Sequence, residues 1–341
     1  ALNGEGVPIP TPEVLTTPDL RAVYPVGGLR VLLLGSIALA AGLGVLSYGL
    51  GGRRRLAFSG VGLAAVAVLL GGAWVETPEA IPARRGLGLD WFVLNLLVLA
   101  VVFVPVERAF ARVREQRIFR AGWRCDLAHF FASHLLVQVT VLLTMAPAVW
   151  ALGDLVVPAL QERVRAIPWL GQFALAMLVA DLGQYAAHRA FHAVPWLWRF
   201  HAIHHSSEEL DWLAGSRLHL VDIVVVRAVA FAPLFWLGVE PEPLSAYLVF
   251  ASFQAVFNHA NVRFELAPLR FLLATPAYHH WHHGAGPEAR DVNFAAHLPL
   301  IDVVFGTAHA PGGFPERLGI DGEAPPPGWW GQLVWPFTRR P

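Results

Sequence analysis

The sequence is poor in charge and in cysteine. Only 15% of its 341 residues are charged, whereas 55% are hydrophobic and the mean hydropathy is +0.50. These values exclude an ordinary soluble domain and predict a chain whose main solvent is a lipid bilayer. The single cysteine, Cys125, cannot form an internal disulfide and has no second thiolate for a metal site. Any metal must therefore be held by nitrogen and oxygen ligands.

Lysine is absent, and the 25 basic residues are all arginines, balanced by 25 acidic residues. The arginines are scattered through loops beside acidic residues, so we expect no broad basic face and no nucleic-acid partner. The use of arginine alone indicates the composition bias of a GC-rich bacterial genome. No glycine fingerprint for a flavin or nicotinamide follows a predicted strand, so electrons for any redox reaction must come from a separate donor.

Long hydrophobic runs dominate the first half of the chain. Four have about the 20-residue length that a helix needs to cross the hydrocarbon core: 29–50, 56–75, 89–106 and 127–150. A shorter run, 170–187, leads into the first histidines, and 221–239 with 244–257 is expected to form a hairpin or a re-entrant pair. The pattern predicts an all-α, polytopic integral membrane protein.

The order of these segments predicts four parts. They are an extramembrane N-terminal segment (1–28), N-terminal transmembrane helices (29–118), a histidine-rich metal-binding domain (119–308) and a tail rich in Pro, Gly and Trp (309–341). Arginines next to spans are retained in the cytoplasm, and they follow the first and third runs at Arg54, Arg55 and Arg108 onward. The histidine-rich region is therefore expected on the cytoplasmic side of a bacterial inner membrane.

Histidine is the abundant metal-binding residue, and its spacing is informative. Twelve of the 15 histidines lie between His188 and His297. Most fall in three clusters: His188 and His192; His201, His204 and His205; and His279, His282 and His283. Spacings of three and four place side chains on one face of a helix, with Cβ atoms about 5–6 Å apart. Two or three imidazoles can then converge on one ion, and imidazole suits Fe, Zn, Cu or Ni.

The remaining histidines are weaker candidates. His129, His134 and His309 stand alone in the sequence, and a lone buried histidine usually makes only hydrogen bonds. Arg189 follows His188, so the first pair lacks the glutamate that serves as general base in HExxH zinc peptidases.

Five motifs in order give the sequence a family resemblance. HRAFH, LWRFHAIHHSSEE, NHANV, TPAYHHWHHG and DVNFAAHLPLIDVVFGT resemble the fatty acid hydroxylase / sterol desaturase superfamily of membrane di-iron enzymes over about 120–308. The stretches HHSSEE and TP-x-x-HH-x-HHG are most similar to the branch that contains alkylglycerol monooxygenase and related bacterial proteins.

The resemblance implies a set of site residues. The implied metal ligands are His188, His192, His201, His204, His205, His259, His279, His282 and His283. Asp181 and Tyr185 match the family pattern D-x-x-x-Y-x-x-H-R and are predicted catalytic residues that orient ligating imidazoles. Asn293 and Asp302 match a closing motif with an architectural role. His219 and His280 remain open between direct ligation and a neighbouring role.

The implied activity is an O2-dependent oxidation of a lipid. The resemblance predicts two iron ions, O2 as co-substrate, and an acyl chain, sterol, carotenoid or ether lipid that is hydroxylated or desaturated. The external electron donor would be a tetrahydropterin or a redox protein. A membrane zinc hydrolase and a non-catalytic membrane subunit with a retained metal site are the alternatives.

Overall fold

The computed structural model describes residues 26–49, 54–74, 89–135, 153–265 and 270–338. These residues are helical or irregular, and apart from two isolated bridges they contain no strand. Twelve α-helices lie in the described ranges: α1 (Val26–Gly49), α2 (Arg54–Leu69), α3 (Leu89–Ala109), α4 (Trp123–Leu135), α5 (Pro158–Arg165), α6 (Trp169–Ala193), α7 (Pro195–His205), α8 (Leu220–Leu237), α9 (Pro241–His259), α10 (Pro276–His282), α11 (Leu300–Phe305) and α12 (Trp329–Thr338). The predicted all-α class is confirmed.

Four segments are long and apolar enough to cross a membrane: Arg30–Gly49, Ala57–Trp74, Phe92–Ala109 and Leu220–Leu237. The first three correspond to predicted spans, and most of their side chains are exposed, as expected for helices surrounded by lipid. The chain is a polytopic membrane protein.

The predicted fourth span, 127–150, and the N-terminal segment, 1–28, lie largely outside the described residues. Residues 127–135 of the predicted span belong to α4. The runs 221–239 and 244–257 form α8 and α9, two helices joined by a short turn. Because α8 is 18 residues long and strongly apolar, it is long enough to span the bilayer by itself.

The chain divides into two compact units, Ala1–Val93 and Leu94–Pro341. In the first unit, α1 packs against α2. In the second, α6 is the central helix and packs against α7, α8 and α9. The histidine clusters all belong to the second unit.

Close packing fixes the position of α6. Buried side chains from α6, α8 and α9 form one cluster that includes Ala176, Ala180, Leu234 and Tyr247. A Cβ atom on Gly183 would lie 2.6 Å from the carbonyl oxygen of Val229, so only glycine permits this approach of α6 to the backbone of α8. The C-terminal half of α6, which carries the first histidines, is thereby held in place.

Prolines determine where the histidine-bearing helices begin. Pro195 cannot continue α6, so the chain turns at the extended residue Val194 and α7 starts at once with Pro195 at its first position. Pro276 starts α10 in the same way, and the side chain of Thr275 caps it by accepting the backbone N–H of Tyr278. These starts bring the histidines near the C-terminal ends of α6, α7, α9 and α10 together.

Candidate metal centre

Nine histidines converge in two groups. The five-histidine group consists of His188, His192, His201, His205 and His282. The four-histidine group consists of His204, His259, His279 and His283. Within each group, the possible ligand nitrogens all lie within 4.8 Å of one another. The members are the nine predicted ligands, so the structure brings together every residue of that set.

In the four-histidine group the Nε2 atoms follow one another closely. Nε2 of His259 lies 3.2 Å from that of His204 and 3.1 Å from that of His279. The Nε2 atoms of His279 and His283 are 3.2 Å apart. Nitrogens that bind one ion at about 2.0–2.1 Å lie about 3.0–3.4 Å from one another. The group therefore has the spacing of a mononuclear nitrogen site.

The five-histidine group contains buried nitrogens that lack a protein partner. Nε2 of His188 lies 2.9 Å from Nε2 of His201. The Nε2 atoms of His192, His205 and His282 are buried and have no hydrogen-bond partner among the described residues. An unsatisfied buried polar atom is costly in free energy. Three such nitrogens in one group therefore indicate that they share a bound partner from outside the chain. A metal ion satisfies this requirement.

The two groups adjoin each other. The ring centroids of His205 and His283, one from each group, are 4.4 Å apart and the rings are stacked. His204 and His205 are consecutive residues at the end of α7 and contribute to different groups. Two ions bound here would share one buried compartment.

Hydrogen bonds at the opposite ring nitrogen fix the orientation of several imidazoles. Backbone carbonyl oxygens lie 2.7–3.1 Å from Nδ1 in four rings; the pairs are His188 with Phe294, His204 with Arg217, His259 with Ala255, and His282 with Val292. When Nδ1–H donates to a carbonyl, Nε2 carries the free lone pair and can bind a metal. The sequence could not reveal these acceptors because backbone carbonyls carry no residue signature.

A carboxylate orients His201. Oδ2 of Asp222, in the first turn of α8, lies 2.6 Å from Nδ1 of His201. Sequence spacing does not identify this partner, because Asp222 lies 21 residues beyond His201 and on a different helix. A second carboxylate, that of Asp291, lies with its Oδ1 3.4 Å from Nδ1 of His192.

Burial keeps the rings in the form that binds metals. Burial, with a smaller effect from neighbouring imidazoles, lowers the pKa of His204, His205, His279 and His283 well below the usual histidine value. These imidazoles are therefore neutral at neutral pH, and a neutral imidazole has a lone pair to donate.

Asp181 and Tyr185 lie on the same helix as His188 but belong to neither group. The carboxylate of Asp181 accepts the backbone N–H groups of Ala296, His297 and Leu298 at 2.6–3.1 Å. The hydroxyl of Tyr185 lies 3.0 Å from Oγ1 of Thr307. Neither side chain accepts an imidazole N–H. Asp181 instead fixes the segment that contains Phe294, and the carbonyl of Phe294 accepts the Nδ1–H of His188. The catalytic assignment stays a prediction, and these contacts describe a positioning role.

Asp302 fixes the other side of the same segment. Its carboxylate accepts the backbone N–H groups of Phe294 and Ala295 and the hydroxyl of Tyr278. Asn293 donates to the carbonyl of Tyr278, which lies on α10 just before the last histidine cluster. The two residues connect the closing motif to the cluster, in agreement with the architectural role expected from the sequence.

His219 and His280, left open by the sequence, lie outside both groups. Nδ1 of His219 accepts the N–H of Val221 and caps α8, and its Nε2 lies 3.0 Å from the carbonyl oxygen of Leu333. Nδ1 of His280 lies 2.9 Å from a guanidinium nitrogen of Arg112. His219 has both ring nitrogens engaged with protein and serves as a cap.

A buried ion-pair network supports the four-histidine group. Arg120 pairs with Asp126 and Asp211, and Arg217 also pairs with Asp126. The backbone carbonyl of Arg217 is the acceptor for His204 Nδ1. This network joins α4 to the loop after α7, and charge-assisted bonds between buried groups are stronger than neutral ones. Sequence spacing gave no signal for it, because the pairs Arg120–Asp211 and Arg217–Asp126 are each separated by 91 residues.

Comparison with known proteins agrees with this site. The model of the fatty acid hydroxylase family matches residues 173–307, which contain all nine histidines. Ornithine lipid hydroxylase OlsE from Rhizobium tropici is 30% identical over 270 residues, 75% of this chain and 78% of the relative. The chain belongs to the fatty acid hydroxylase family, which confirms the resemblance recognised from the motifs. No solved structure matches the chain significantly.

Two further relatives match a smaller share of the chain. Human alkylglycerol monooxygenase is 32% identical over 150 residues, 43% of this chain and 33% of the relative. A very-long-chain aldehyde decarbonylase from Oryza sativa subsp. indica is 33% identical over 137 residues, 37% of this chain and 22% of the relative. The chain thus spans a third or less of these two proteins.

Replacement of Asp222 is expected to weaken metal binding. Asp222→Asn keeps the shape of the side chain but removes the negative charge beside His201, and loss of such a partner costs about 10–100-fold in metal affinity or activity. Iron retained by the purified protein during titration with a chelator measures the change. Asp154→Asn, at an exposed carboxylate, is the matched control. Identical retention in both variants would contradict the role of Asp222.

Replacement of Asp181 is expected to lower stability. In Asp181→Asn an amide group must face backbone N–H donors that the carboxylate now accepts, and hydrogen bonds to a charged group contribute about 1.5–3 kcal/mol. We expect a lower thermal midpoint and weaker retention of the metal bound to His188. The exposed residue Glu162 provides a control, Glu162→Gln. A midpoint equal to that of the control would argue against the positioning role.

Proposed function

We propose that the chain is an O2-dependent di-iron enzyme that hydroxylates or desaturates a membrane lipid. The observation that carries the proposal is the convergence of nine histidines in two adjoining groups with ligand spacing. The number of nitrogens is sufficient for two ions with four or five ligands each. Membership in the fatty acid hydroxylase family supports an oxygenase rather than a hydrolase.

The donor set suits iron. The groups consist of neutral imidazoles without thiolates, a set compatible with iron and with zinc but not with magnesium or calcium. Two irons held by these nitrogens would supply the activation of O2 and the oxidation of a C–H bond. The protein holds the rings in fixed orientations through carbonyl oxygens and Asp222, and it buries them away from water. Exclusion of water protects a reactive site from side reactions.

A lipid is the proposed substrate because the relatives are named for lipid reactions and the chain has apolar spans. OlsE is named for an ornithine lipid, and alkylglycerol monooxygenase for an alkylglycerol. The spanning part of α3 is mostly unburied and apolar, so it would face the acyl chains of the bilayer. An acyl chain, an ether lipid, a sterol or a carotenoid has the required apolar character.

The proposal includes a location and an electron donor. The arginine pattern supports a bacterial inner membrane with the histidines on the cytoplasmic side, where reductants are available. The donor is a separate molecule, either a tetrahydropterin or a redox protein.

Metal content and isotope incorporation test the proposal together. Full-length protein purified after aerobic expression should contain about two irons per chain. Lipid extracts incubated with the protein, a reductant and oxygen-18-labelled O2 should yield a lipid that carries the label or has lost two hydrogens. Stoichiometric zinc with hydrolytic turnover would replace the proposal by the hydrolase alternative. An unchanged lipid profile in cells with and without the gene would favour the non-catalytic subunit.

A further inference from the structure

A basic cavity lies at the C-terminal end of α3. It has a volume of about 330 Å³ and is lined by the last turns of α3, by the loop that follows, and by residues just after α9. This volume falls within the range of about 300–1,000 Å³ typical of small-molecule sites. A concave site of this size suits a headgroup rather than the flat surface of a partner protein.

The lining of the cavity is strongly basic. Arg108, Arg114, Arg117 and Arg263 contribute to it, and Glu107 is its acidic member. One carboxylate oxygen of Glu107, Oε1, already accepts the backbone N–H groups of Trp212 and Asn261 at 2.7 and 2.9 Å. The lining contains four guanidinium groups and one carboxylate that is already hydrogen-bonded, so the cavity has a net positive charge. Guanidinium groups bind phosphate through paired hydrogen bonds.

The loop beside the cavity has the character of a membrane-surface segment. The spanning segment Phe92–Ala109 ends at the cavity, and the loop then exposes the apolar side chains Phe110, Val113, Ile118 and Phe119 among its arginines. Exposed apolar residues alternating with basic ones are typical of segments that lie in the headgroup region of a bilayer. This placement favours a lipid headgroup over a soluble phosphate compound.

The cavity is connected to the end of α9 that carries His259. The loop is joined to the chain after α9 by a backbone hydrogen bond from Arg112 to Asn261 and by another from Arg263 to Phe110. Asn261 lines the cavity and follows His259 by two residues. A group bound in the cavity would therefore contact the segment that directly follows the histidine-bearing end of α9.

We propose that this cavity binds the phosphate headgroup of an anionic membrane lipid. The guanidinium groups recognise the phosphate, and the exposed apolar side chains of the loop contact the adjoining acyl region. The proposal concerns binding alone, so it can fail while the oxygenase activity stands, and the reverse also holds.

Lipid retention by full-length protein in a neutral detergent tests the site. Native mass spectrometry would compare phosphatidylglycerol with phosphatidylcholine, each titrated into the delipidated protein. We expect tighter binding of phosphatidylglycerol. The double variant Arg114→Gln/Arg117→Gln should weaken it by about 25-fold, since each arginine near an anionic lipid contributes about fivefold. The double variant Arg163→Gln/Arg165→Gln removes the same charge from exposed positions on α5 and should bind as the unmodified protein does.

Two further measurements keep the proposal testable. Arg263→Gln changes the opposite wall of the cavity and should weaken phosphatidylglycerol binding about fivefold even if the loop variant is poorly folded. Glycerol 3-phosphate should not displace the lipid at equal concentration. Equal retention of phosphatidylglycerol by all variants would overturn the site, and displacement by glycerol 3-phosphate would overturn the assignment to a lipid.

Discussion

Replacing His204 or His282 with alanine is expected to remove one metal ion from the protein. His204 belongs to the four-histidine group and His282 to the five-histidine group. Each substitution removes a buried nitrogen that lies among the others, so the iron content should fall from about two to about one per chain in either variant. The double variant should contain almost none. Lipid oxidation should fall by more than about a hundredfold, because even loss of a hydrogen-bond partner of a ligand costs 10–100-fold.

His309→Ala is the control for these variants. His309 also has a buried ring nitrogen without a partner among the described residues, but it lies outside both groups. Its removal should leave two irons in place. Unchanged iron in both ligand variants would refute the ligand assignment. Loss of both irons from a single variant would contradict independent binding by the two groups.

The convergence of the histidines could be predicted because most of them lie three or four residues apart in short segments of the sequence. Spacings of three and four on a helix determine which side chains share a face, and the family motifs extend that inference to His259, which stands alone in the sequence. The sequence does not specify how the nine divide between the groups. His204 and His205 are adjacent yet serve different groups, because consecutive residues on a helix point about 100° apart.

The partners of the histidines were not predictable, since they come from distant parts of the chain. Asp181 and Tyr185 lie on the face of α6 that carries His188, which made them plausible acceptors for its N–H. The acceptor is instead the carbonyl of Phe294, 106 residues away. Helical periodicity identifies a face but not the segment that packs against it. The pairing of Asp222 with His201 could not be predicted for the same reason.

Hydropathy predicted the spans well where each run is long and uninterrupted. The first three runs appear as helices of spanning length. The run 221–239 was expected in a hairpin or a re-entrant pair, whereas α8 is one continuous helix whose Asp222 pairs with His201 within the protein. A charged residue inside a span is tolerated when it faces the protein interior and has a partner.

A second large effect is expected at Gly215, which packs against a predicted ligand. A Cβ atom on this residue would lie 2.8 Å from Nδ1 and 3.1 Å from Cγ of His259. Real Cβ atoms essentially never approach so closely, so either the loop or the imidazole must move in Gly215→Ala. The loop is held, because Asp211 accepts the N–H groups of Leu213 and Ala214 and pairs with Arg120.

The imidazole of His259 is therefore the part that moves. Its displacement would break the hydrogen bond to the carbonyl of Ala255 and separate its Nε2 from those of His204 and His279. We expect Gly215→Ala to contain about one iron per chain, as His204→Ala does, while the five-histidine group keeps its ion. A Cβ atom on Gly328 would meet nothing within 4 Å, so Gly328→Ala should retain both irons. Two irons and full activity in Gly215→Ala would contradict the displacement of His259. Loss of one iron in Gly215→Ala but not in Gly328→Ala would show that the position of the His259 ring controls metal binding in the four-histidine group.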